Sequence, residues 1–226
     1  MAPVSVGNRE AVTHGGSQEP EQPAAARAYH HIKARLLEGA YGEGELLSEG
    51  AIAQELGISR TPVREAMLQL QAERLLTLYP KRGALVRPVS AREVAELFET
   101  RLLVELHCLR AAAADPGLPA ALRAEISRQG ELLSVDDRTA FAAADREFHR
   151  VWVAAAGNRL LLELYDGLRD RQQRVIATLI AFDATQPRQL LDEHATILAA
   201  LEAGDPEWAL SALERHLQST RRRSER

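Results

Sequence analysis

Only one cysteine, Cys108, occurs in the 226 residues. That excludes a disulfide framework within the chain and a Cys-rich zinc site, and it suits a reducing compartment. Long apolar runs are also missing. No segment approaches the ~18 uncharged apolar residues that a membrane span requires, and residues 1–23 hold no long apolar run. There is no HExxH and no nucleophile motif, and no repeat of fixed period is evident. These absences lead us to expect a soluble cytoplasmic protein with a small module and a larger partner domain.

Strong charge of either sign is absent too. The net charge is −4, but residues 24–90 hold nine Lys/Arg against seven Asp/Glu (+2), residues 91–226 eighteen against twenty-two (−4), and the first 23 residues one against three (−2). The basic excess is too small for phosphate attraction alone to grip a nucleic acid tightly. A dimer that doubles the contacts is the expected remedy.

Residues 1–23 mix Gly, Ser, Pro, Gln and Glu without periodicity and read as a flexible tail. Helical spacing then predicts a helix over about residues 24–38, a loop over 42–47, and a helix capped by Ser48 that ends at Gly57. A second helix over about residues 60–74 carries Val63, Ala66, Met67 and Leu70 on one buried stripe. Residues 76–79 and 84–86 predict two short strands around a turn at 80–83. After Pro88 the pattern is helical throughout. Six helices are expected, over about residues 91–114, 119–133, 136–156, 159–181, 187–203 and 206–222, punctuated by Gly and Pro. The fold class is therefore mostly α, an N-terminal winged helix-turn-helix over residues 24–90 followed by an all-α bundle over residues 91–226.

A recognition helix needs forked polar donors at the end that enters the major groove, while its apolar face stays on the domain. Arg60 and Arg64 can offer bidentate donors to guanine or clamp phosphates, and Thr61 can donate its hydroxyl or touch a thymine methyl. Thr61 before Pro62 is equally an ordinary helix start. Lys81, Arg82 and Gly83 fall where a wing tip would meet the backbone or minor groove, although Gly83 can serve the turn alone.

The helical half holds a second constellation. Asp145 and His149 are spaced i, i+4 and share a helix face, and His194 and His216 lie mid-helix among apolar neighbours. Singly, each histidine reads as a hydrogen-bonded core group. Together, one carboxylate and three imidazoles on three helices are the kind of inward set that bundle cores use for Zn, Ni, Mn or Fe. Trp152 and Trp208 are read as packing residues, and Arg221, Arg222 and Arg223 as a solvated helix end.

The blocks Ser59-Arg60-Thr61-Pro62-Val63-Arg64-Glu65-Ala66 and Pro80-Lys81-Arg82-Gly83-Ala84 resemble the winged helix-turn-helix of the GntR family of bacterial transcription regulators. The resemblance implies contacts to double-stranded operator DNA by Arg60, Thr61, Arg64 and Gly83. Two positions depart from the family pattern. Gly50 stands where many members carry a polar DNA contact, and Arg74 replaces the glycine common between recognition helix and wing. Residues 92–222 resemble the FCD effector domain of the FadR-like branch. Asp145, His149, His194 and His216 fall on that domain's four metal positions, and Gly157-Asn158 matches its Gly-Asn pair. This resemblance implies a divalent metal whose open positions receive a small organic acid effector.

Arg101 matches an effector-facing arginine of such domains, or else pairs with Glu105 at i+4. Asn158 is expected first as a helix cap and second as an effector contact. The function these readings imply is a homodimeric, metal-dependent, carboxylate-responsive transcription regulator, most often a repressor on a palindromic operator. The main alternative is a metalloenzyme acting on a small organic acid. A DNA-binding architectural protein with a merely structural metal is a third reading.

Overall fold

A computed structural model describes residues 22–225. The tail expected over residues 1–23 therefore lies, except for its last two residues, outside the described part.

The first unit begins with α1 (Ala24–Leu37), followed by β1 (Leu46–Leu47), α2 (Glu49–Leu56), α3 (Arg60–Ala72), β2 (Leu76–Tyr79) and β3 (Gly83–Val86). Ser48 caps α2 by accepting from the Ala51 amide, and Gly57 closes it in the left-handed region at φ 65°. The α3 stripe of Val63, Ala66, Met67 and Leu70 is wholly buried against Ile32, Ile52 and Leu76 in one core. The sheet has the order β1-β3-β2, with both pairs antiparallel. The sequence predicts a loop over residues 42–47. Leu46 and Leu47 in fact pair with Leu85 and Ala84, because a third strand closes the open edge of β3 and buries Leu47.

Arg74 ends α3 with φ 63°, where glycine would be the unstrained choice. The helix still stops in the ordinary way. Leu75 N–H donates to the Leu70 carbonyl at 2.9 Å and Arg74 N–H to that of Gln71 at 2.9 Å.

The second unit is a bundle of α4 (Ala91–Ala112), α5 (Leu118–Ser134), α6 (Arg138–Ala155), α7 (Arg159–Asp166), α8 (Arg169–Phe182), α9 (Gln186–Glu202) and α10 (Pro206–Ser224). A capping box of Ser90 and Glu93 starts α4. The expected single helix over residues 159–181 is two helices, α7 and α8, divided at Gly167 and Leu168. Periodicity runs across this break without a gap, which is why the sequence reads as one helix. Phe98, Phe148, Trp152 and Tyr165 fill the core, whereas Trp208 is partly exposed. No helix among the described residues is long and apolar enough to cross a membrane.

The two units meet at α8. Lys33 Nζ lies 2.7 Å from Asp170 Oδ2, and Arg174 donates to the Arg87 carbonyl. Glu43 Oε1 accepts from Val89 N–H at 3.2 Å and from Thr178 Oγ1 at 3.4 Å.

Candidate functional site

At the N-terminal end of α3, Arg60, Thr61 and Arg64 are all exposed, on the side opposite the buried stripe. The helix begins at Arg60, where the predicted range of about residues 60–74 begins, but Ser59 and not Thr61 holds the capping position, with no side-chain cap bond. Arg60 lies over Gly50. A Cβ added there would come within 3.2 Å of its Nη2, so the glycine leaves the guanidinium room. Arg64 is 67% exposed and only 4.0 Å from Glu49 at its nearest, a loose pairing that solvent weakens further. Lys81 and Arg82 are exposed at the β2–β3 turn, with Lys81 at φ 62°.

Gly83 is half-buried and has a backbone reason for its identity. At φ 114° an added Cβ would stand 2.1 Å from the Leu47 carbonyl oxygen, so only glycine permits β1 to lie against β3.

The second site lies inside the bundle. Asp145 and His149 come from α6, His194 from α9 and His216 from α10, and all four are buried. The three histidines bring ligand atoms within 4.8 Å of one another. Asp145 stands beside them, its Oδ1 3.5 Å from His194 Nε2.

Each imidazole is held from behind through Nδ1. His149 Nδ1 lies 2.7 Å from Glu105 Oε2, His194 Nδ1 2.8 Å from Gln129 Oε1, and His216 Nδ1 2.7 Å from Glu193 Oε2. All three partners are acceptors, so each neutral ring carries its hydrogen on Nδ1 and presents a bare lone pair at Nε2. The Nε2 atoms of His149 and His216 then face each other at 3.2 Å with no hydrogen to share. His194 Nε2 and Asp145 Oδ1 are buried with no hydrogen-bond partner. Three lone pairs and a carboxylate oxygen converging on one dry point repel one another unless a cation lies among them. The residues therefore fit a divalent metal of the kind bound by imidazole and carboxylate.

The electrostatics of the surroundings point the same way. Burial pushes the His194 imidazole well below its ordinary pKa, and neighbouring His216, His149 and Arg101 add to the effect. Burial also lowers His149, against the opposing pull of Glu105. Burial alone would raise Glu105, but the charge of Arg101 and the bond to His149 bring it down to about 2. Glu193 likewise falls to about 2, because its bonds to His216 and Arg223 outweigh burial. His149 and His194 are thus held towards the neutral form, and the charged Glu105 and Glu193 strengthen His149 and His216 as donors to metal.

Arg101 is 1% exposed and its Nε donates to Glu105 Oε1 at 2.6 Å, so the i,i+4 pair is formed inside the bundle. Tyr165 donates to the same oxygen at 3.0 Å. Asn158 caps α7 by accepting from the amides of Leu160 and Leu161 at 3.1 and 3.2 Å. Arg223 departs from the expected solvated helix end. It grips Glu193 with both terminal nitrogens at 2.8 and 3.0 Å and belongs to the support of His216. Glu105, Gln129, Glu193 and Arg223 are the functional surroundings that sequence reasoning missed. Glu105 gave a signal through its spacing from Arg101, and Glu193 through its place beside His194.

A helix-turn-helix with a wing, joined to a bundle with a histidine centre, defines the architecture of a DNA-binding regulator. Comparison with known proteins gives the family. Residues 24–86 match the bacterial regulatory proteins of the gntR family, and residues 96–219 match the FCD domain. The chain is 33% identical over 194 residues to a probable D-xylose utilization operon transcriptional repressor of Paenarthrobacter nicotinovorans, covering 85% of each chain. It is 24% identical to the gluconate operon transcriptional repressor of Bacillus subtilis (strain 168), over 84% of this chain and 80% of that one. A GntR transcriptional regulator from Rhodococcus sp. RHA1 superposes with a TM-score of 0.75 at 26% identity, over 88% of this chain and 96% of that structure. The chain belongs to the GntR family of bacterial transcription regulators and carries an FCD domain. These families are regulators, so the metalloenzyme alternative is set aside.

Proposed function

We propose that this protein is a dimeric repressor whose grip on a palindromic operator responds to a small organic acid bound at a metal in the bundle. Residues 24–90 would read DNA, with Arg60, Thr61 and Arg64 in the major groove and Lys81 and Arg82 on the flanking backbone. Gly83 serves the wing's backbone and would lie beside these contacts. Residues 91–226 would hold metal and effector and pair the two copies. Exposed Leu103 on α4 and Leu160 and Leu164 on α7 favour that pairing, because these two helices pack together and leave leucines in water.

The observation behind the metal is the set of three Nε2 lone pairs and Asp145 Oδ1 facing one another, with His194 Nε2 and Asp145 Oδ1 unpartnered and those of His149 and His216 set against each other. A bound divalent ion would supply open coordination positions to a carboxylate. Asp145, His149, His194 and His216 would hold it, with Glu105, Gln129 and Glu193 fixing the rings. We assign Arg101 to Glu105 rather than to the effector, and Asn158 to the cap of α7. Gln172 on α8 is the better candidate for an effector contact, since it is 2% exposed and both its amide atoms lack partners. The relative named for a gluconate operon accords with a small organic acid as effector.

Such a ligand shifts DNA affinity only by preferring one arrangement of the two halves. The contacts of α8 with Lys33, Glu43 and Arg87 are where the arrangement would change.

The test has two arms. Footprinting on the gene's own upstream DNA should give one protected palindrome, lost in Arg64→Ala while the bundle stays folded; retained operator affinity would remove Arg64 from the reading. Elemental analysis of untagged protein should give about one divalent metal per chain. Failure to take up any metal, even after reconstitution, would leave a DNA-binding protein with an ordinary buried polar cluster.

A further inference from the structure

A cavity of about 640 Å³ lies between α8, α9, α10 and the start of α4. This is within the ~300–1,000 Å³ typical of small-molecule sites. None of Asp145, His149, His194 and His216 lines it. Its inner wall is apolar, with Val94, Val175 and Leu179 all buried. Its rim carries Arg222, which is exposed and has no ion-pair partner among the described residues.

Two further lining residues hold unmet hydrogen-bond capacity. Arg223 spends both terminal nitrogens on Glu193, yet its Nε is buried without an acceptor. Gln186 is 6% exposed; its amide nitrogen donates to Asp183 Oδ2 at 2.7 Å, and its Oε1 is buried without a donor. Both atoms are closed to water in the structure; a carboxylate that displaced the side chain could answer the Arg223 Nε–H, whereas it offers no donor to Gln186 Oε1.

We infer that this cavity is a second ligand site, separate from the histidine centre, for an organic monocarboxylate with an apolar body. The carboxylate would meet Arg222 at the rim, and the body would lie on Val94, Val175 and Leu179. A heavily hydroxylated acid fits poorly, since most of its hydroxyls would face valine and leucine without partners. Val89 completes the wall, and its amide donates to Glu43. Thr178, which also lines the cavity, bonds the same Glu43 oxygen. A ligand here therefore touches the connection between the two halves directly. The site needs no metal, so it stands or falls apart from the histidine centre.

Calorimetric titration of the full chain with octanoate and with 4-phenylbutyrate tests this, using Arg222→Ala, Leu179→Trp and His194→Ala. At least one probe should bind saturably with one site per chain. Its affinity should fall about tenfold in Arg222→Ala, the size expected for losing one partly exposed charge contact. It should vanish in Leu179→Trp, where an indole fills the cavity, and stay unchanged in His194→Ala. Should Leu179→Trp fail to fold, the exposed Arg222→Ala position decides. Three results overturn the inference. These are no saturable binding of either probe to the wild type, affinity indifferent to Arg222→Ala, or binding that disappears in His194→Ala.

Discussion

Replacing His194 by leucine should have opposite consequences with and without metal. In the metal-free protein the imidazole is a mixed asset. Its Nδ1 satisfies Gln129 Oε1 at 2.8 Å, while its Nε2 is buried with no partner. Leucine of similar bulk removes the orphan, a gain of about 1–3 kcal/mol, and strands the Gln129 oxygen, a loss of similar size. The two offset, so in chelator the variant should melt close to the wild type. With metal the balance changes. An ion held a thousandfold above its dissociation constant stabilises the folded chain by ~4.1 kcal/mol, which at ~2–4 °C per kcal/mol for a chain of this size is a rise of ~8–16 °C. The wild type should gain that rise and His194→Leu should lose most of it. Thermal unfolding followed by helical circular dichroism, in chelator and in saturating zinc, measures both. A variant that melts several degrees below wild type in chelator would mean that the ring is a structural hydrogen-bonding group. An undiminished zinc response in the variant would mean that the ion sits elsewhere.

Three further outcomes follow from the geometry. Gly83→Ala should cost about 2–3 kcal/mol in denaturant unfolding, because a Cβ 2.1 Å from the Leu47 carbonyl separates β1 from β3; wild-type stability in the alanine variant would refute the close approach. Arg74→Gly should stabilise by up to about 1 kcal/mol, the relief of a left-handed φ of 63° less the greater freedom of the unfolded chain; a loss of stability would mean that the arginine makes a compensating contact. The metal-free protein should weaken in two stages as pH falls. His194 is held below its ordinary value, so the unfolded chain takes up that proton first and stability declines below about pH 6.5. Glu105 and Glu193, at about 2 when folded, contribute fully above the unfolded value of ~4.3 and lose that contribution as pH falls towards 2. A melting temperature that stays flat from pH 7 to 5 would contradict the His194 assignment, and one that stays flat from pH 4 to 2 those of Glu105 and Glu193.

The DNA-facing half was largely legible because its signals are local. The stripe of Val63, Ala66, Met67 and Leu70 and the Ser48 and Gly57 helix ends lie within a few residues of their consequences. What was missed there is non-local. Leu46 and Leu47 become a strand only because β3 passes beside them some forty residues later, and Gly83 is needed only because that strand arrives. The break at Gly167 escaped for a different reason. Both flanking helices keep an apolar face, so periodicity alone has no discontinuity to report.

The histidine centre divides along the same line. Asp145 and His149 share one helix, and the identity of His194 and His216 as mid-helix imidazoles needs no tertiary knowledge. The groups behind them are set by how α4 and α5 pack against the ligand-bearing helices and by how α9 meets α10. Glu105 on α4 reaches His149, Gln129 on α5 reaches His194, and Glu193, itself held by Arg223, reaches His216. In sequence each is an unremarkable polar residue of an amphipathic helix. Yet these partners decide the chemistry, because acceptors at all three Nδ1 atoms are what strip the hydrogens from all three Nε2 atoms. Had any one been a donor, its ring would point an N–H inward, and the same histidines could satisfy one another without a cation. The case for metal therefore rests less on the ligands that the sequence singles out than on the three acceptors that only the fold brings behind them.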